Sequence, residues 1–142
     1  YYYRCIKPDI IIKGILDFKV QEIIKRSIKS YAFTNLSAIE IWSDYSYVQR
    51  GIEKSPYFIK VLKKDLKYWK EFFSYYSIPT YINQGSTIGE YIILIPVNNI
   101  KSAEKEGLKV ESLNSTLKIA KQNQMYDYPY HYMLRKYGHA TN

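Results

Sequence analysis

The side chains best placed to do chemistry in this sequence are cations and phenols. Lys25, Arg26 and Lys29 fall within two helical turns, and Lys60, Lys63, Lys64, Lys67 and Lys70 follow with only Asp65 and Glu71 to offset them. A face that serves only solubility mixes signs for i,i+4 support. One that does not is suited to polyanions, each phosphate contact adding salt-dependent affinity through counterion release. Tyr45, Tyr47, Tyr128 and Tyr130 flank polar or cationic residues and can stack on bases while their hydroxyls stay wet. Phe58, Trp69, Phe73 and Trp42 are better explained as core.

Catalytic chemistry is poorly supplied. Asp44 and Asp65 are far apart, and no Asp-x-Asp or Glu-rich cluster stands ready for paired metals. Cys5, His131 and His139 are scattered to the two ends, so a zinc or iron–sulfur site is not expected and no cofactor is called for. Cys5 has no neighbouring His to activate it. Gly85 and Gly89 lack the Gly-Lys-Ser/Thr ending of a phosphate loop and sit between two strand-like runs, which makes a turn the better reading. His131 and Arg135 are one residue too far apart for the His-x-x-Arg box of tyrosine recombinases, and no chain remains downstream for the nucleophile. The segment around them reads as an amphipathic helix with Tyr130, Met133, Leu134 and Tyr137 packed.

Composition bounds the rest. The chain has 142 residues, 46% of them apolar, enough for one domain with one core, 1–142, with residues 1–9 as an arm or first strand. It opens on Tyr1-Tyr2-Tyr3 and is expected to be a processed or trimmed form. Lys and Arg number 21 against 13 Asp and Glu, a net charge of +8, beside 17 tyrosines. An excess of that size favours anionic partners. The longest apolar runs, such as 91–95, fall far short of the roughly 20 residues a membrane helix needs, so no membrane partner is expected. No retained secretion signal is visible, and a single cysteine forms no internal disulfide. The expected location is intracellular, in the cytoplasm.

The elements that must position these residues read as mainly helical (α+β), a helical domain with a small antiparallel β-hairpin or sheet. Val20, Ile24, Ile28 and Tyr31 recur at helical spacing over 17–31, which places Lys25, Arg26 and Lys29 on the opposite face. Ser37 and Glu40 have the form of a capping box for a second helix that ends by Gly51. Ser55-Pro56 would start a third over 56–75, with Phe58, Leu62, Leu66, Trp69 and Phe73 as its apolar stripe. Residues 79–82 and 90–95, joined through Gly85, read as a β-hairpin. Asn98-Asn99 would begin a short helix stopped by Gly107, and residues 108–110 a short strand. Asn114-Ser115 would cap a helix toward Gln124, and 129–137 a last one closed by Gly138.

Three stretches, Lys25-Arg26-Ser27-Ile28-Lys29-Ser30-Tyr31, Leu36-Ser37-Ala38-Ile39-Glu40-Ile41-Trp42 and Tyr45-Ser46-Tyr47-Val48-Gln49-Arg50, resemble the C-terminal domain of the primase large subunit. The similarity covers about a third of the chain, Asp9 to Gly51, and is greatest to the cluster-free noncatalytic subunit family of some archaeal primases, PriX. That family pairs a basic helix with an amphipathic helix ending in Trp and a Tyr-x-Tyr-Asn-Ile-Arg-His signature. Val48, Gln49 and Gly51 depart from the signature, and the four cluster cysteines are absent. The resemblance implies that Arg26 and Arg50 meet the initiating triphosphate, that Tyr47 orients a base, and that primase catalytic and large subunits are the protein partners.

The function expected from this reading is a non-catalytic nucleic-acid- or nucleotide-binding accessory subunit, most concretely one that assists primer initiation in DNA replication. Its partner would be DNA or an initiating nucleotide, met by Lys25, Arg26, Lys29, Tyr47, Arg50, Lys60, Lys64 and Lys67. The alternative is a DNA-binding coat protein of a filamentous archaeal virus, which basic faces and an aromatic arm at 1–3 would serve equally well.

Overall fold

A computed structural model describes residues 19–44 and 54–138. The arm expected at 1–9, the helix end at Gly51, and Tyr45, Tyr47 and Arg50 lie outside them. In chain order the elements are α1 (Lys19–Ile24), β1 (Tyr31–Phe33), α2 (Asn35–Trp42), β2 (Lys54–Leu62), a 3-10 turn (Lys63–Asp65) and α3 (Leu66–Tyr75). They continue with β3 (Thr80–Ile82), β4 (Gly89–Val97), β5 (Ala103–Lys105), β6 (Leu108–Val110), α4 (Leu113–Lys121), a second 3-10 turn (Gln124–Tyr126) and α5 (Asp127–Tyr137). The strands form one mixed six-stranded sheet in the order β3-β4-β2-β1-β6-β5. The class is α/β, which overturns the expectation of a mainly helical domain with a small hairpin.

The largest difference lies at 54–62. The expected helix over 56–75 is a nine-residue central strand followed by a ten-residue helix. Phe58, Leu62 and Leu66 do stand at helical spacing, but Tyr57, Ile59 and Val61 also alternate, and these three are fully buried while Phe58, Lys60 and Leu62 are only partly so. Aromatic and β-branched residues on a period of two favour the pleated surface, and pairing with β4 over the whole strand decides the matter. Pro56 is tolerated there. Thr34 N–H donates to the Phe58 carbonyl and Phe58 N–H to Ser37 Oγ, so Phe58 and, two residues back, Pro56 turn their backbone toward the β1 side. β1 pairs only as far as Ile59, and the donor Pro56 lacks has no strand partner to lose.

Ser37 therefore does not cap α2. It sits inside a helix that starts two residues earlier, behind Thr34, and stands in for the missing strand by accepting from Phe58. The expected hairpin at 79–95 is also different. β3 and β4 pair in parallel, with Ile82 level with Leu94. The six residues 83–88 must run back five positions along β4, roughly 16 Å at about 3.3 Å per residue, within the reach of an extended six-residue segment. Gly85 permits this, because a methyl there would collide with the Tyr81 ring. Gly89 enters β4 at φ 89°, a conformation that favours glycine.

The short helix expected from Asn98 is a tight hairpin, β5 antiparallel to β6, with Glu106 and Gly107 at φ 55° and 81° as its two-residue turn. Residues 108–110 are the strand expected there. The last two helices form close to where they were read; Ser112 caps α4 by accepting from Ser115 N–H at 3.2 Å.

Two cores result. Tyr57, Ile59, Val61, Ile92 and Leu94 pack with Val20, Ile24, Trp69 and Phe73 beneath α1 and α3. Ile39, Leu117, Ala120 and Met133 form a second cluster among α2, α4 and α5. α2 belongs to both, since Ala38 and Ile41 face the sheet core.

Candidate functional site

The first basic cluster is not on a helix. α1 ends at Ile24, and Arg26 and Ser27 N–H donate to the Ile23 and Ile24 carbonyls at 3.0 Å to close its last turn. Ile28, which would have extended the apolar stripe, is 83% exposed, and Tyr31 anchors β1 instead. The chain between is pinned along α3. Ile28 N–H donates to the Tyr68 hydroxyl at 3.1 Å, Lys29 Nζ lies 4.0 Å from Asp65, and the Arg26 guanidinium stands 5.8 Å from the Tyr76 ring centre. Through Asp65, which follows Lys64 directly, the loop touches the start of the lysine-bearing segment at one point.

A cleft of about 390 Å³ opens between this loop and the β5–β6 hairpin. Lys25, Ser27, Lys29 and Ser30 line one wall, and Ser102, Gly107 and Lys109 the other, with Ile28 and Ile100 as apolar surface. The positive φ at Gly107 turns the hairpin, and its lack of a side chain leaves Lys25 Cε at only van der Waals distance from where a Cβ would stand. Tyr31 lies at the base of the cleft, its hydroxyl accepting from Lys109 N–H at 3.3 Å. Burial raises its pKa above the usual phenol value against the opposing pull of that bond and of Lys109, so the hydroxyl stays protonated at neutral pH.

The three lysines of the cleft are held loosely. Lys25 is 3.5 Å from Glu22, Lys29 4.0 Å from Asp65 and Lys109 3.0 Å from Glu104, and these carboxylates are not part of the lining. Glu22 and Glu104 are mostly exposed, where such pairs contribute about 0–1 kcal/mol. Ser27 Oγ is buried with no hydrogen-bond partner among the described residues.

The other expected site residues are placed differently. Lys60 lies on β2 with its ammonium 2.7 Å from Glu111, a buried carboxylate that also accepts from the Thr34 hydroxyl at 2.5 Å. Trp42 Nε1–H donates to the Glu111 carbonyl at 2.8 Å, so this cluster ties β1, β2, α2 and the start of α4 together. Lys64 and Lys67 are exposed on the first 3-10 turn and on α3, outside the cleft lining, as is Arg26. Tyr128 is exposed, whereas Tyr130 packs against the α4–α5 core. His131 is exposed and 3.3 Å from Asp127. Lys109 and the three serines are what the sequence reading missed. The signal for Lys109 is Gly107 as a hairpin turn, which in the sequence reads equally as a helix stop.

The remaining carboxylate cluster is also occupied. Asp44, at φ 53° just after α2, receives Lys105 at 2.6 Å on one oxygen and the Tyr132 hydroxyl at 2.9 Å and Lys136 on the other. Burial pushes its pKa up, but these bonds outweigh it and hold the carboxyl below its ordinary value. Burial and the Asp44 bond raise Tyr132, and the same carboxylate raises Lys136. Among the described residues no group of three or more His, Cys, Asp or Glu is arranged to hold a metal ion, and no helix is long and apolar enough to cross a membrane. Searches of protein-family models, of curated proteins and of solved structures return no match to this chain.

Proposed function

We propose that this protein is a non-catalytic accessory subunit that binds nucleic acid or a nucleotide. The observation that carries the reading is the cleft, where lysines from two segments far apart in sequence, 25–29 and 109, converge with hydroxyls on one concave surface. The non-catalytic part is supported by the described carboxylates at 44, 65 and 111, each of which lies against a lysine and is not grouped with the others for acid–base or metal work. The finer form, assistance to primer initiation beside separate primase catalytic and large subunits, draws on the resemblance over 9–51. Arg26 and the helix ending in Trp42 are available to it, although the basic helix that the resemblance implies is a loop.

The mechanism is electrostatic and positional: the lysines neutralise phosphates while a partner supplies the metal carboxylates. Fluorescence anisotropy with labelled single-stranded DNA across a salt series tests it. Affinity should fall steeply with salt, and the slope should drop by about 1 for each phosphate-contacting lysine removed. Weak binding that ignores salt would end the nucleic-acid reading. The finer form requires charge reversal at Arg26 to impair primer initiation more than elongation when the chain is added to primase.

A further inference from the structure

We propose that the cleft between the 25–30 loop and the β5–β6 hairpin is a pocket for a terminal phosphate monoester, as carried by a free nucleotide or by the 5′-phosphorylated end of a strand. This rests on the nucleic-acid or nucleotide reading above and narrows it from a backbone track to an end.

Three features separate an end from a continuous strand. At about 390 Å³ the cleft lies near the lower end of the range for small-molecule pockets, roughly 300–1,000 Å³, which suits one nucleotide unit and not a run of backbone. Its polar lining is matched to a dianion with three terminal oxygens: ammoniums from Lys25, Lys29 and Lys109, and hydroxyls from Ser27, Ser30 and Ser102. An internal phosphodiester carries one charge and two free oxygens, and so satisfies fewer of these donors. Ser27 supplies the third feature. Its Oγ is buried and has no hydrogen-bond partner among the described residues, a cost that a turn of the side chain toward an acceptor in the cleft would remove. The weak carboxylate pairs hold the lysines near the cleft and yield to a doubly charged ligand, while exposed Ile28 and half-buried Ile100 give a base or sugar an apolar surface to rest on.

The test uses one oligodeoxynucleotide in two forms, 5′-phosphorylated and 5′-hydroxyl, in anisotropy titrations with the full chain, followed by competition with adenosine monophosphate. The phosphorylated form should bind about tenfold tighter. Ser27→Ala should reduce that preference several-fold, and thermal melting should show it folded, since the lost hydroxyl has no partner among the described residues. Lys109→Ala should also lower the preference. Displacement by adenosine monophosphate assigns the free nucleotide as ligand; a preference that adenosine monophosphate does not compete with assigns the strand end. Equal, steeply salt-dependent binding of both forms would overturn the pocket and leave the nucleic-acid reading standing. A Ser27→Ala variant that keeps the full preference would also overturn it. Binding of neither oligonucleotide nor nucleotide would remove both.

Discussion

Lysines at two places in this protein are used in opposite ways. At Asp44, Lys105 and Lys136 converge on one carboxylate with Tyr132, and Lys105 also donates to the Ile41 carbonyl at 2.5 Å. The cluster joins the end of α2 to β5 and α5, with two ammoniums sharing one carboxylate. In the cleft, Lys25, Lys29 and Lys109 meet one carboxylate each at 3.0–4.0 Å, two of them well exposed. The first arrangement spends its cations on structure, while the second leaves them able to exchange a weak partner for an anionic ligand. A net charge of +8 therefore says little until each cation's partner is known. The five-lysine segment makes the same point, because Lys60 serves the buried Glu111 while Lys64 and Lys67 face solvent.

Substitutions can break this contrast in order of expected effect. Glu111→Ala should be the most damaging, at about 3 kcal/mol in urea denaturation, because it strands Lys60 and the Thr34 hydroxyl in the middle of the sheet. Asp44→Asn should cost about 1–2 kcal/mol, since asparagine tolerates the left-handed backbone but cannot balance two ammoniums. The same carboxylate predicts a pH dependence. Its pKa is lower in the folded state than the ordinary value of 3.8, so its contribution is complete above that value and is lost as pH falls through the folded one. Acid titration of stability should be flatter below pH 4 in Asp44→Asn than in the parent chain. Lys25→Ala and Lys109→Ala should each shift stability by less than about 0.5 kcal/mol, while Lys29→Ala should cost more because it leaves the buried Asp65 carboxylate without that cation. They should nonetheless weaken DNA binding, and a cleft lysine whose loss unfolds the protein would erase the distinction.

The parts of the fold legible in sequence are those where one local signal acts alone. The helix expected toward Gln124 is present as α4, although Ser112 caps it and not Asn114-Ser115, and α5 follows its own stripe to Gly138. Where two periods overlap, local reading goes wrong. Phe58, Leu62 and Leu66 fit a helix while Tyr57, Ile59 and Val61 fit a strand, and nothing within the segment chooses between them. The choice comes from β4, 35 residues on in register, whose buried run Tyr91–Ile92–Ile93–Leu94 needs neighbours on both sides. Gly107 was visible as a breaker, but helix stop and hairpin turn use the same left-handed conformation. That ambiguity hid Lys109, and with it half of the cleft.

By itself the sequence determined the surplus of cations, the scarcity of clustered carboxylates, one basic segment at 25–29 and the existence of the C-terminal helices, all properties of composition or short-range spacing. Only the tertiary structure decided that the central segment is a strand, that Lys105 and Lys136 are both paired with Asp44, and that Lys25 and Lys29 face Lys109 across a cleft. Those facts depend on pairing between segments distant in the chain, where burial and hydrogen bonding on the far side outweigh local preference.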